Sequence, residues 1–267
     1  MTKTILITGA SSGFGKETAK LFQKKGWNVV ATMRFPEKET ELTQLDNILV
    51  TSLDVMNPKS VEAAVKAGKD RFGSIDVLLN NAGYAVMGAL EATTEASTRK
   101  QFDVNVFGLI NVTKAVLPIM RSNKKGIIIN ISSVFGIVTF PFFSLYHASK
   151  FAIEGLTESL QYELRPLGIK VKIIEPGGYR TNFSTTSIDF AGAGTIQDYS
   201  DTLAKISSAM TNYEPNPNIS EVAEKIYEAT TDNTDHLRYP IGADLIPVRK
   251  QMTDEAFYKM IANQFGL

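Results

Sequence analysis

Two hydrophobic rhythms alternate along the chain. Short β-branched runs, apolar at consecutive positions, occupy residues 5–8, 29–32, 48–52, 77–79, 127–131 and 170–175. Between them lie longer stretches with apolar residues at helical spacing. Residues 16–25 end at Gly26, a plausible C′ residue, and Asn57-Pro58 supplies an N-cap followed by proline at the first helical position. Residues 95–123 and 144–165 form two long helical segments. Strands that alternate with helices pair in parallel through crossovers. The pattern therefore predicts an α/β fold with a single doubly wound parallel sheet and helices on both faces. Strands covered on both faces need no polar alternation, and apart from the Lys170-Val171-Lys172 start of the last run these have none.

The rhythm breaks after Pro176. Residues 182–215 are too long for an ordinary connection, and such segments are usually lids or binding loops. Helical spacing returns at 219–230, with Asn218 or Ser220 as its cap, and again at 253–262. No linker composition separates a second unit, so residues 1–267 read as one nucleotide-binding and catalytic domain with 182–215 as its substrate lid.

Composition narrows the chemistry. Hydrophobic residues make up 43% of the 267, enough for a substantial core. Lys plus Arg is 28 and Asp plus Glu is 28, so there is no excess positive charge for nucleic acid or an anionic membrane. The chain has no Cys and 2 His. That excludes disulfides, thiolate metal sites and a cysteine nucleophile, and a metal site of any kind is not expected. The sequence shows no apolar run near the ~20 residues of a bilayer span and no signal peptide. The expectation is a cytoplasmic protein.

The first strand runs into Gly9-Ala10-Ser11-Ser12-Gly13-Phe14-Gly15, and a helix follows. Glycine is needed where backbone turns tightly and approaches a ligand closely. The helix that follows offers free N–H groups and a positive dipole end to a phosphate. Three other readings compete. A Walker loop fails because Lys16 is followed by Glu17. A hydrolase elbow, Gly-x-Ser-x-Gly, matches Gly9, Ser11 and Gly13, yet normally follows several strands. A purely structural turn is the third. A dinucleotide site is preferred, from the strand–turn–helix context. The second strand ends Ala31-Thr32-Met33-Arg34. With no carboxylate at Thr32 or Met33 for ribose hydroxyls, and Arg34 available for a 2′-phosphate with help from Lys38, NADP(H) is preferred and NAD(H) remains possible.

Tyr146 and Lys150 are four apart on a helical segment and so share a face. A neighbouring ammonium favours the phenolate and makes a phenol useful in acid–base work. Ser133 stands just past the fifth strand, where a hydroxyl could hold a carbonyl oxygen. Taken with the glycine turn, Asn80-Asn81-Ala82-Gly83, Asn105 and Pro176-Gly177, this ordered set closely resembles the short-chain dehydrogenase/reductase family. The branch with 17β-hydroxysteroid and retinol dehydrogenases is the one it looks most like. The resemblance is strong over residues 3–183 and implies a Rossmann-type fold with reversible carbonyl/alcohol interconversion by hydride transfer.

The same resemblance implies a role for each matching residue. Tyr146 would be the general acid/base and Lys150 would lower its pKa and bind the nicotinamide ribose. Ser133 would orient the substrate oxygen, and Asn105 would support a water-linked relay to Lys150. Gly9, Ser11, Ser12, Gly13, Phe14 and Gly15 would cradle the pyrophosphate. Asp54 and Val55 would meet adenine, and Asn81, Ala82 and Gly83 would line the adenosine side. Pro176, Gly177 and Thr181 would hold the nicotinamide. Tyr84, Met87, Phe135, Phe140, Phe142, Phe143, Phe183 and Phe190 flank this site and suggest a small, apolar carbonyl or alcohol substrate. His147 reads as a surface or interface residue, and Trp27 as core. By analogy with the family, the two long helices would pair into a homodimer or homotetramer, with Phe107, Val112, Leu156 and Leu160 available for contact.

Overall fold

Apolar runs become strands here because both of their faces are sealed. The computed structural model describes residues 2–192 and 195–267. Along the chain lie β1 (Thr4–Thr8), α1 (Gly13–Lys24), β2 (Asn28–Met33), β3 (Ile48–Ser52), α2 (Pro58–Phe72), β4 (Val77–Asn80) and β5 (Ala85–Val86). Next come α3 (Glu95–Phe102), α4 (Leu109–Ser122), β6 (Gly126–Ile131), α5 (Ser144–Leu164) and β7 (Ile169–Pro176). The remainder holds α6 (Phe183–Thr186), β8 (Ile188–Asp189), α7 (Ser200–Thr211), α8 (Ser220–Thr231), β9 (Arg238–Ile241), α9 (Leu245–Gln251) and α10 (Asp254–Gln264).

Seven strands form one parallel sheet in the order β3-β2-β1-β4-β6-β7-β9. Alternate residues of β1 feed opposite layers. Ile5 and Ile7 join Phe22, Trp27, Val222 and Ile226 under α1 and α8. Leu6 joins Leu78, Ile128, Val61, Val112 and Val116 under α2 and α4. Each such side chain, fully buried, contributes roughly 1.5–3 kcal/mol of transfer free energy. The chain steps outward in one direction from β1 to β3 and in the other from β4 onward. That reversal opens a crevice at the carboxyl ends of β1 and β4, where ligands bind in such sheets.

Three differences from the sequence expectations have physical reasons. The edge strand β9 carries Arg238 and Pro240, which no apolar run announces, and an edge position tolerates proline. The expected helix 95–123 is interrupted by a π-helical turn at Asp103–Gly108. Its apolar spacing continues through the turn, so periodicity does not reveal it. The combined run Glu95–Ser122 spans 28 residues with a mean hydropathy of 1.3 in its most apolar window, long and apolar enough to cross a membrane by length and composition. Its inner stripe, Val112, Val116 and Met120, is instead buried in the core beneath the sheet. Finally, the 182–215 stretch contains α6, β8 and α7 rather than irregular chain alone, and its residues 193 and 194 lie outside the described residues.

Candidate active site

The glycine turn is tied to the neighbouring strand end by one residue. Thr8 Oγ1 accepts from the N–H groups of Asn81 (2.9 Å) and Ala82 (3.0 Å). Asn81 Nδ2 returns bonds to the carbonyls of Thr8 (2.9 Å) and Gly9 (3.1 Å). Gly9 and Gly13 have positive φ (69° and 55°), which glycine adopts without penalty. Gly15 is required by space, since a Cβ there would lie 2.5 Å from Gly9 O and 2.6 Å from Asn81 Nδ2. The first turn of α1 has no acidic residue, and the Ser12 side chain does not cap it. Its N–H groups and dipole are therefore free to meet an anion. Phe14 turns inward, edge-on to Tyr179 at 5.7 Å, so only its backbone faces the turn. Thr181 Cβ stands over Gly13, 3.5 Å from where a Cβ would be, which brings the start of the 182–215 segment above the turn.

At the end of β2, Arg34 and Lys38 flank the exposed ring of Phe35, at 5.8 and 4.9 Å from its centroid. Among the described residues neither cation has a carboxylate partner. The nearby buried Glu39 does not face them as an acceptor for ribose. Its oxygens take Lys16 Nζ (3.0 and 3.1 Å) and the N–H groups of Glu41 and Leu42 (both 2.9 Å). Asp54 is not the cap of α2, a role filled by Asn57. Its Oδ1 accepts from Met56 N–H (3.0 Å), and the buried Val55 follows it.

Tyr146, Lys150 and Ser133 come together where β6 ends and α5 begins. Tyr146 and Lys150 are both buried, and Lys150 Nζ stands 5.6 Å from the Tyr146 ring centre. The ammonium donates to Ile131 O at 2.9 Å, the last residue of β6. Burial lowers Lys150 to about 8, opposed by the negative charge of Glu154. Burial also holds the Tyr146 phenol above its ordinary value of 10, with the Ser133 hydroxyl pulling it down. The result is a phenol protonated at neutral pH beside a cation, the state required of a proton donor. Ser133 Oγ accepts from Phe135 N–H (3.1 Å), which leaves its own proton free to point toward the phenol.

Asn105 lies in the π turn. Its amide donates to Tyr84 O (2.9 Å) and Ser149 Oγ (3.1 Å), and accepts from Tyr84 N–H (3.0 Å). The side chain thus fixes Tyr84, directly after the Asn81–Gly83 segment, against α5, and Gly83 makes room for it. All three of these side-chain bonds are to protein groups. Pro176 and Gly177 close the row at the end of β7. A Cβ on Gly177 would lie 1.6 Å from Gly242 O, so the turn after β9 seats directly on it.

The wall over Tyr146 is aromatic. Phe135, Phe143 and Phe183 approach its ring at 6.1, 6.5 and 5.8 Å. Met87, Phe140 and Phe142 belong to the same cluster. Tyr84 does not, packing instead with Val86, Phe102 and Leu145, and Phe190 is exposed. Ile246 of α9, Phe257 and Ile261 of α10 and Phe265 just past it complete the wall; the sequence predicts a helix at 253–262 but not α9, nor what either covers.

A second feature escaped the sequence because its members are distant. Arg238 bridges two buried carboxylates behind Lys150, Glu154 on α5 and Glu175 on β7 (2.8 Å for the latter). Burial raises both carboxyls, and Arg238 pulls both down. His147, expected at the surface or an interface, is buried within the chain.

These features place the chain in the class of doubly wound α/β proteins whose working groups line the carboxyl edge of the sheet. The model of the short chain dehydrogenase family matches residues 3–190. An uncharacterised oxidoreductase of Schizosaccharomyces pombe is 41% identical over 88% of this chain and 100% of its own length. A short-chain dehydrogenase from Streptomyces avermitilis superposes with a TM-score of 0.86 at 34% identity, covering 97% of this chain and 95% of that one. ElxO with NADP bound superposes with a TM-score of 0.75 at 30% identity, covering 92% and 99%. The chain belongs to the short-chain dehydrogenase/reductase family and is an oxidoreductase acting on CH–OH groups.

Proposed function

We propose that the protein reduces apolar ketones or aldehydes, reversibly, with NADP(H) as its preferred cofactor and NAD(H) as a weaker one. The observation that carries the reading is the buried Tyr146 phenol set beside the Ser133 hydroxyl and the Lys150 ammonium. The dinucleotide, when bound, supplies the hydride. Ser133 hydrogen-bonds the substrate oxygen and Tyr146 gives it the proton. The Lys150 charge stabilises the phenolate left behind, and in the reverse direction the phenolate takes the proton back. Residues 182–215 close over the substrate, and the aromatic wall excludes water from it.

The cofactor fits this chain's own groups. Uncapped N–H groups at α1 face the pyrophosphate position, and Gly15 allows the backbone to come close. Arg34 and Lys38, with no carboxylate partner among the described residues, suit a 2′-phosphate, and the neighbour ElxO holds NADP. Losing a charge-assisted bond costs about 1.5–3 kcal/mol, roughly a 10- to 100-fold change in Kd. Arg34→Ala is therefore expected to weaken NADPH by that factor and NADH by less than about threefold. Titration by cofactor fluorescence measures both. Equal losses for the two nucleotides would overturn the NADP preference.

A further inference from the structure

His147 follows Tyr146 directly, yet its ring is turned away from the phenol and into the loop that precedes α5. Nε2 accepts from Phe140 N–H at 2.8 Å, and Nδ1 lies 3.0 Å from Phe135 O. An amide can only donate and a carbonyl can only accept. The two bonds therefore fix a single species, the neutral imidazole with its proton on Nδ1. They also join two points of one loop, residues 132–143, near whose start Ser133 stands. Phe135 is gripped from both sides, its carbonyl by His147 and its N–H by Ser133 Oγ at 3.1 Å. The chain of contacts runs from imidazole to peptide to the serine hydroxyl beside Tyr146.

The loop needs such a grip. Phe142, within it, has φ of 63°, a left-handed conformation that a bulky side chain adopts only when its surroundings enforce it. The ring of His147 is packed by Phe135 (4.8 Å) and Phe143 (6.3 Å) and lies beside Tyr146 (6.4 Å). From just past α10, Phe265 seats on Phe140 at 5.5 Å. Among the described residues no charged group bonds the imidazole. Lys150, one turn along α5, is turned to Ile131 O. Glu154, a turn further, meets Arg238 through Oε2, while its Oε1 lies against Gly136 of the same loop, so this titratable group also faces it.

We propose that His147 is a positioning residue: as a neutral staple between Phe135 and Phe140 it sets the loop that aims the Ser133 hydroxyl at Tyr146. This rests on the reading of Ser133 and Tyr146 as the proton-handling pair. Burial pushes the imidazole below its ordinary value of 6.5, so the staple holds at neutral pH. Protonation would put a second N–H against that of Phe140 and open it, so acid should loosen the loop and misalign Ser133.

The test needs the wild-type protein and two variants. Nitrogen-15 NMR of wild-type His147 should show a bare Nε2 and a protonated Nδ1 at pH 7.5. The hydrogen-exchange protection factor of the Phe140 amide, taken against the slower intrinsic exchange in acid, should fall on going to pH 5 while that of Ile129, inside β6, does not. His147→Leu removes both bonds and should lower kcat at least tenfold, with the NADPH Kd within twofold. His147→Gln keeps a donor and an acceptor. It should restore most of kcat at pH 7.5 and abolish the acid fall that the staple predicts for the wild type below pH 6.5. A protonated Nε2, or an acid limb unchanged in His147→Gln, would overturn the staple. If the tautomer and exchange are as stated but no carbonyl turns over with the wild type, the staple stands and the catalytic reading of Ser133 and Tyr146 falls.

Discussion

Lys150 is the residue on which the acid–base account turns at its smallest scale. Held down to about 8 by burial, it is cationic below that pH and neutral above it. The cation is the form that steadies a phenolate and meets ribose hydroxyls. kcat/KM for the dinucleotide reports groups of the free enzyme. It should therefore fall as pH rises through about 8, read from initial rates between pH 6.5 and 9.5. A profile flat to pH 9.5 would contradict the placement of Lys150. The four-residue spacing from Tyr146 to Lys150 is visible in the sequence because a helix converts it directly into a shared face. The burial that retunes both groups is not, since it comes from Phe135, Phe143 and Phe183 in three separate segments. Nor is the role of His147, which depends on a loop folding back to offer one carbonyl and one amide.

At the scale of elements, close backbone approaches position the site. The strand β1 ends in a turn that must pass under Asn81, and β7 ends in a glycine on which Gly242 rests. Gly15→Ala and Gly177→Ala each force a methyl into backbone atoms that have no rotamer to yield. Overpacking of this kind costs roughly 1–3 kcal/mol, and more where backbone must move. Both variants should unfold at lower temperature, by at least about 2 °C for a chain of this size. Gly26→Ala serves as the comparison, since a Cβ there meets nothing within 4 Å and only its positive φ resists. Calorimetry that found Gly177→Ala no less stable than Gly26→Ala would contradict the packing described. Six strands were legible from their apolar runs because helices seal both faces. The seventh was not, because β9 is an edge strand whose Arg238 is recruited by Glu154 and Glu175, 84 and 63 residues away. The π turn was equally hidden, its side-chain pattern being that of a continuous helix.

Across the whole molecule, the sheet gathers the working groups at one edge by construction. Parallel strands all end on the same side, so Thr8, Arg34, Asn81, Ser133 and Gly177 become neighbours without being close in sequence. That much follows from motif order and strand pattern. The covering layer does not, because Phe257, Ile261 and Phe265 carry ordinary helical periodicity and their partner surface is set only by the complete fold. The outer faces of the long helices are likewise decided by packing: Val112 is in the core, whereas Phe107 and Phe151 are exposed. The central claim is that this edge transfers hydride and that Tyr146 supplies the matching proton. Proton transfer by a positioned side chain is typically worth about 10²–10⁴ in rate. The most direct measurement is single-turnover NADPH consumption with an accepted apolar carbonyl, wild type against Tyr146→Phe, with the NADPH Kd measured alongside. The account predicts a rate reduced at least about a hundredfold with the Kd nearly unchanged. A Tyr146→Phe rate equal to that of the wild type would contradict it.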